Sequence, residues 1–260
     1  MLRISAKALA AAALLLFPLI AATAQAPREP YGIGLEGFPY PYPVNMLPLV
    51  NDGEPVRMAY MDVAPAQPNG RTVVLLHGRN FPSSYWAPVI KTLTEAGFRV
   101  VVPDQIGFGK STKPAGELHF DNLARNTIAL PDHLGIDKVD IVAHSMGGMV
   151  GVRITRAYPD RVAHLLLTAP IGLEDYRLYV PPLIKQPVLF IMGADDHNAP
   201  GRPNAPEELR PLMGRNADLA RALAARMSNA RAEVIPDTGH LAFLEARAKF
   251  DELMLGFLGK

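Results

Sequence analysis

Three residues hold the side chains that a serine-nucleophile reaction needs: a hydroxyl at Ser145, a carboxylate at Asp195 or Asp196, and an imidazole at His240. Ser145 lies in Ala143-His144-Ser145-Met146-Gly147-Gly148, a G-x-S-x-G pattern with alanine at the first glycine position. Such a pattern makes a sharp strand-to-helix turn that lifts the serine oxygen clear of a sheet, and small neighbours let the backbone pack that tightly. The helix N-terminus also favours negative charge developing beside the serine. Gly193-Ala194-Asp195-Asp196-His197 supplies two carboxylates. Either can hold an imidazole in one tautomer, and the other is then a turn residue. His240, in Thr238-Gly239-His240, carries an imidazole, the side-chain type that can both take and return a proton. Each residue alone has an ordinary reading: an N-cap serine, an Asx turn, a packed histidine. Their joint placement, in the order serine, acid, histidine, points to acyl transfer.

The elements that must position them alternate. Thr72–Leu76 is a continuous β-branched and apolar run that fits a central strand buried on both faces. Further strands are expected at Phe98–Pro103, Val139–Ala143, Val162–Leu167, Val188–Met192 and Ala232–Ile235. Helical patterns lie between them at Tyr85–Ala96, Asn122–Leu134, Gly147–Ala157 and within Pro206–Met227, with a last helix at Ala246–Leu258. Met46–Val50 and Val56–Val63 flank Asn51-Asp52-Gly53 and read as a hairpin. Residues 27–48, rich in Pro, Gly and Tyr, read as an extended arm. The alternation gives an α/β fold: a mostly parallel twisted sheet with helices on both faces. Ser145, the Asp pair and His240 each follow a different strand, at the carboxyl edge where open parallel sheets place their chemistry.

Composition narrows the classes. The chain has 260 residues, 49% of them hydrophobic, a formal net charge of +1 and no cysteine. The apolar fraction excludes a disordered chain. The balanced charge argues against nucleic acid as a partner. The lack of cysteine removes disulfides, thiolate nucleophiles and Cys-ligated zinc. Arg3 and Lys7 precede an apolar run, Ala8–Ala22, that closes on Ala22-Thr23-Ala24. This reads as a signal peptide over 1–24, cleaved after Ala24, with residues 25–260 exported to the periplasm or beyond as one domain with no stable membrane span.

On these residues the chain resembles the α/β-hydrolase superfamily from roughly Tyr31 onward. Leu76-His77-Gly78-Arg79-Asn80-Phe81, Pro103-Asp104-Gln105-Ile106-Gly107-Phe108-Gly109-Lys110-Ser111 and Gly239-His240 followed by Glu245 carry the likeness, which is nearest to bacterial ester- and lactone-hydrolase-like members. The resemblance implies the α/β-hydrolase fold and a Ser145–Asp196–His240 triad, choosing Asp196 over Asp195 by a G-x-x-D pattern. It implies an oxyanion hole from the backbone N–H groups of Arg79 and Met146, and structural roles for His77 and Asp104. His144 is expected to pack or to touch substrate, and Asn80 and Phe81 to touch substrate. The implied partner is a small-molecule ester or lactone, with no cofactor and no metal. The likeness breaks in the stretch after Pro170, where a short lid at about 171–186 replaces the larger cap often found there, so the pocket is expected to be shallow and open. The same fold also holds peptidases, C–C bond hydrolases and haloperoxidase-like members, and a non-catalytic ligand-binding protein is the alternative from another class. Dehalogenases and epoxide hydrolases use Asp at the elbow, where this chain has Ser145.

Other motifs fail on context. Gly32-Ile33-Gly34-Leu35-Glu36-Gly37 fits G-x-G-x-x-G but lies in the arm, without a strand before it. Gly109-Lys110-Ser111 lacks the earlier glycine of a phosphate loop. His197 has no partner histidine at a ligand spacing. The oligomeric state is not legible in the sequence.

Overall fold

The computed structural model describes residues 30–173, 184–199 and 201–259. Eight strands form one sheet in the order β1-β2-β4-β3-β5-β6-β7-β8. They are β1 (Val44–Asn51), β2 (Glu54–Val63), β3 (Thr72–Leu76), β4 (Arg99–Pro103), β5 (Val139–His144), β6 (Val162–Thr168), β7 (Val188–Gly193) and β8 (Ala230–Ile235). β1 and β2 form the expected hairpin, turning at Asp52 and Gly53 with φ of 51° and 83°, the double positive φ that a two-residue turn between twisted strands demands. β2 runs antiparallel to β4, and every later pairing is parallel.

Every residue of β3, β5 and β7 is buried, because helices cover both faces. Alternate residues serve opposite cores. Val74 and Leu76 pack with Ile141, Leu165 and Phe190 beneath α2 (Phe120–His133), α3 (Met146–Ala157) and α4 (Asn216–Ala224). Val73 and Leu75 pack with Trp86, Ile90, Phe250 and Met254 beneath α1 (Ala87–Glu95) and the C-terminal pair α5 (Ala242–Glu245) and α6 (Arg247–Leu258). The edge away from the site is pinned by buried Asp140. It accepts from Arg71 Nη2 and His164 Nδ1, both at 2.7 Å, while Arg71 Nη1 donates to the carbonyl of Leu258.

Some expectations are corrected. The first helical segment splits into a 3-10 turn, Ser83–Trp86, and α1. Within Pro206–Met227 only α4 is regular α-helix, because Pro206, Pro211 and Gly214 interrupt the chain before it. The arm is not uniformly extended. It turns at Leu35, whose φ is 51°, where Leu35 N donates to Gly32 O and Phe38 N to Leu35 O. The leader expected at 1–24 and residues 174–183 of the expected lid lie outside the described residues. Among the described residues no helix is long and apolar enough to cross a membrane.

Candidate active site

Ser145 stands alone between the end of β5 and the start of α3, at φ 54° and ψ −118°. A non-glycine residue there carries backbone strain of about 1–3 kcal/mol, held in place by its surroundings. Ser145 N donates to Thr168 O (3.1 Å), and Ser145 O accepts from Gly148 N (2.9 Å). Gly147 is obligatory, since a Cβ there would lie 2.5 Å from Leu76 O. Ala143, in the usual glycine position, is fully buried, and its methyl group faces a glycine of α3. A Cβ built on Gly151 would come within 3.3 Å of Ala143 Cβ. The elbow tolerates alanine because the helix opposite gives up a side chain.

The acid and the base meet where two loops are stitched together. Ala194 N donates to Ile235 O and Asp195 N to Thr238 O, each at 2.9 Å. Asp196 is buried, and both its oxygens lie 3.1 Å from His240 Nδ1. Asp195 is exposed. The geometry therefore pairs His240 with Asp196. This carboxylate fixes the proton on Nδ1 and leaves Nε2 as the acceptor. Glu245 clamps the histidine loop from outside, accepting from Gly239 N (2.6 Å) and Leu241 N (2.9 Å).

The loop after β3 closes the third side. A Cβ on Gly78 would lie 3.2 Å from Ser145 Cβ, so this loop abuts the serine. Asn80 sits in the same loop in the left-handed region, at φ 67°. Among the described residues, the amides of Arg79 and Met146 donate to no other protein group. Met146 follows Ser145 directly, and Arg79 follows Gly78, the residue set against the serine. Asn80 is exposed, while Phe81 is half-buried and stacks on Tyr85 at 4.9 Å. His77 is buried, donating from Nδ1 to Gly78 O and accepting at Nε2 from Gln105 N. Asp104 accepts from Tyr40 Oη, Ser83 N and Lys110 N. Both hold loops, in keeping with their expected structural roles.

Of the two expectations for His144, packing and substrate contact, the structure shows packing: the ring is fully buried and both its nitrogens are engaged. Its Nε2 is 3.1 Å from the carbonyl of His240, which can only accept, so Nε2 carries the proton. Nδ1 then accepts from Tyr85 Oη at 3.0 Å, and Tyr85 Oη accepts from Gly78 N at 2.8 Å. This chain joins the loop beside Ser145 to the backbone of the general-base candidate. Sequence reasoning missed Tyr85, whose partners lie far away along the chain. Burial, with His240 second, lowers His144 to about 3, so it stays neutral in the fold. A histidine that is harder to protonate folded than unfolded contributes stability that is complete above its ordinary value and is lost as pH falls below it. Urea unfolding from pH 6.5 toward pH 4 should lose up to about 1.4 kcal/mol per pH unit through this residue. His144→Asn should flatten that slope by one proton's worth.

The comparisons agree with this frame. Residues 71–182 match the family described as "alpha/beta hydrolase fold". A crystal structure of a "probable hydrolytic enzyme" from Pseudomonas aeruginosa PAO1 is 32% identical, covers 88% of this chain and 98% of its own, and superposes with a TM-score of 0.83. The chain belongs to the α/β-hydrolase fold family. A haloalkane dehalogenase of Mycolicibacterium paratuberculosis is 34% identical over 131 residues, 49% of this chain and 43% of the relative. A 2-hydroxy-6-oxononadienedioate/2-hydroxy-6-oxononatrienedioate hydrolase of Comamonas testosteroni is 32% identical over 130 residues, 48% of this chain and 46% of the relative. The matched region thus spans less than half the length of these curated relatives.

Proposed function

We propose that this hydrolase-fold chain cleaves carboxylic esters or lactones through an acyl-enzyme on Ser145. The observation that carries the reading is the strained Ser145 elbow on the same sheet edge as an imidazole already paired with a buried carboxylate. His240 takes the serine proton as Oγ attacks the acyl carbon, and the Arg79 and Met146 amides receive the oxyanion. Each such donor contributes about 3–4 kcal/mol to the transition state. His240 then protonates the leaving oxygen, and water repeats the sequence on the acyl-enzyme.

The dehalogenase likeness does not extend to chemistry at this elbow. Displacement of halide by a serine oxygen leaves an ether, which water cannot cleave as it cleaves the ester formed by a carboxylate nucleophile. The C. testosteroni relative favours a second reading, hydrolysis of a carbon–carbon bond next to a carbonyl. A panel of ester, lactone, amide and vinylogous 1,5-diketone substrates on wild type and Ser145→Ala separates the two. Ester or lactone turnover that vanishes in the variant supports the first reading, and turnover of the diketone alone supports the second. A short lid over an open pocket would admit bulky acyl groups. We further propose export, supported by the leader pattern. Material recovered from the periplasm should begin at Gln25, and an N-terminus at Met1 refutes the proposal.

A further inference from the structure

The atom of His240 that must receive the serine proton is occupied by another residue. Asn198 Nδ2 lies 3.2 Å from His240 Nε2. Because Nδ1 is committed to Asp196, Nε2 carries the ring's lone pair, and the Asn198 amide donates into it. Among the described residues Ser145 Oγ makes no hydrogen bond to His240, although it stands on the same edge. The main chain of Asn198 is fixed: its N donates to Asp196 Oδ1 (3.1 Å), and its O accepts from Asn216 Nδ2 (2.8 Å). Only the carboxamide can leave without disturbing the loop. It has somewhere to go, since Asn198 also lines an open cavity of about 330 Å³ with His197, Ala199, Arg202, Pro203 and Arg210.

We propose that Asn198 is a latch on the general base. Its carboxamide caps His240 Nε2 in the resting protein and turns toward the adjoining cavity before His240 accepts the Ser145 proton. The proposal rests on the Ser145–His240–Asp196 reading above. Asn198 is a positioning residue, acting through His240 and forming no bond to substrate. The latch keeps the serine poorly reactive until the carboxamide turns away, and a bound group that accepts from Asn198 Nδ2 shifts the balance toward release.

Fluorophosphonate labelling of Ser145 in the full chain, measured as a second-order rate, tests the latch with Asn198→Ala and Asn198→Asp. The alanine variant is expected to label about three- to tenfold faster than wild type, the effect of freeing one hydrogen bond. The aspartate variant is expected to label at least about tenfold more slowly. A carboxylate there pairs with the protonated ring, the form that cannot take the serine proton. A residue that merely shaped the loop would slow labelling in both variants, so changes in opposite directions mark the latch. Equal or slower labelling of Asn198→Ala overturns it and leaves the triad standing. If the alanine variant unfolds early, Asn198→Ser takes its place, since its hydroxyl is too short to reach Nε2, and the same criterion applies. Absence of labelling in wild type as well overturns the triad reading and the latch with it.

Discussion

Ser145→Ala is expected to lower ester hydrolysis by about 10⁴- to 10⁶-fold, with the unfolding transition almost unmoved. The loss is large because an acyl-enzyme mechanism has no path around its nucleophile. What remains is the contribution of the oxyanion amides and of binding to direct attack by water. The fold should be spared for reasons local to the elbow. Among the described residues Ser145 Oγ bonds to nothing, so its removal orphans no partner. The backbone bonds through Thr168 and Gly148 persist, and the strained φ costs alanine about what it costs serine. Initial rates on a chromogenic ester, beside a thermal melt of each protein, check both halves. Retained hydrolysis in a folded variant would refute Ser145 as nucleophile.

Asp196→Asn is expected to cost about 10⁴-fold in kcat at neutral pH. Both oxygens of Asp196 sit 3.1 Å from His240 Nδ1. A carboxylate in that position accepts only, so the ring proton stays on Nδ1. An asparagine can turn its NH₂ toward Nδ1, which then accepts, and the proton moves to Nε2. A ring protonated at Nε2 cannot receive the hydroxyl proton. The change is nearly isosteric, so Asp196 Oδ1, or the amide oxygen replacing it, can still accept from Asn198 N. Steady-state kinetics should find kcat falling far more than KM rises. Near-normal kcat in Asp196→Asn would mean that another acid orients the imidazole.

Much of this arrangement is legible in the sequence because it is local. β3, expected at Thr72–Leu76, has those bounds in the structure. A threonine followed by four apolar residues, with no charge to alternate against them, is accommodated where both faces are covered. The elbow is legible for a similar reason, since a tight strand-to-helix turn restricts the residues on either side of Ser145. Asp195 and Asp196 are equivalent on residue type alone and are told apart in the sequence only by the G-x-x-D resemblance; in three dimensions Asp196 is buried against His240 and Asp195 faces solvent. The Tyr85–His144 chain and the Asn198 contact are not readable along the chain. Each joins loops from different strands, and neither residue type carries a spacing that announces it. The last helix, expected at Ala246–Leu258, is α6 one residue later, whereas the short α5 before it, parted from α6 at Ala246 with φ −122° and ψ 48°, has no counterpart among the expected helices.

The methyl group on Ala143 and the bare α-carbon of Gly151 share one small volume between strand and helix. A side chain at 151 would meet Leu165 Cδ1 at 3.2 Å and Ile141 Cγ2 at 3.3 Å as well as the Ala143 methyl at 3.3 Å. Three neighbours therefore hold position 151 to glycine, and shrinking residue 143 clears only one of them. The methyl at the usual glycine position of the serine turn is thus seated on a helix that cannot crowd it back.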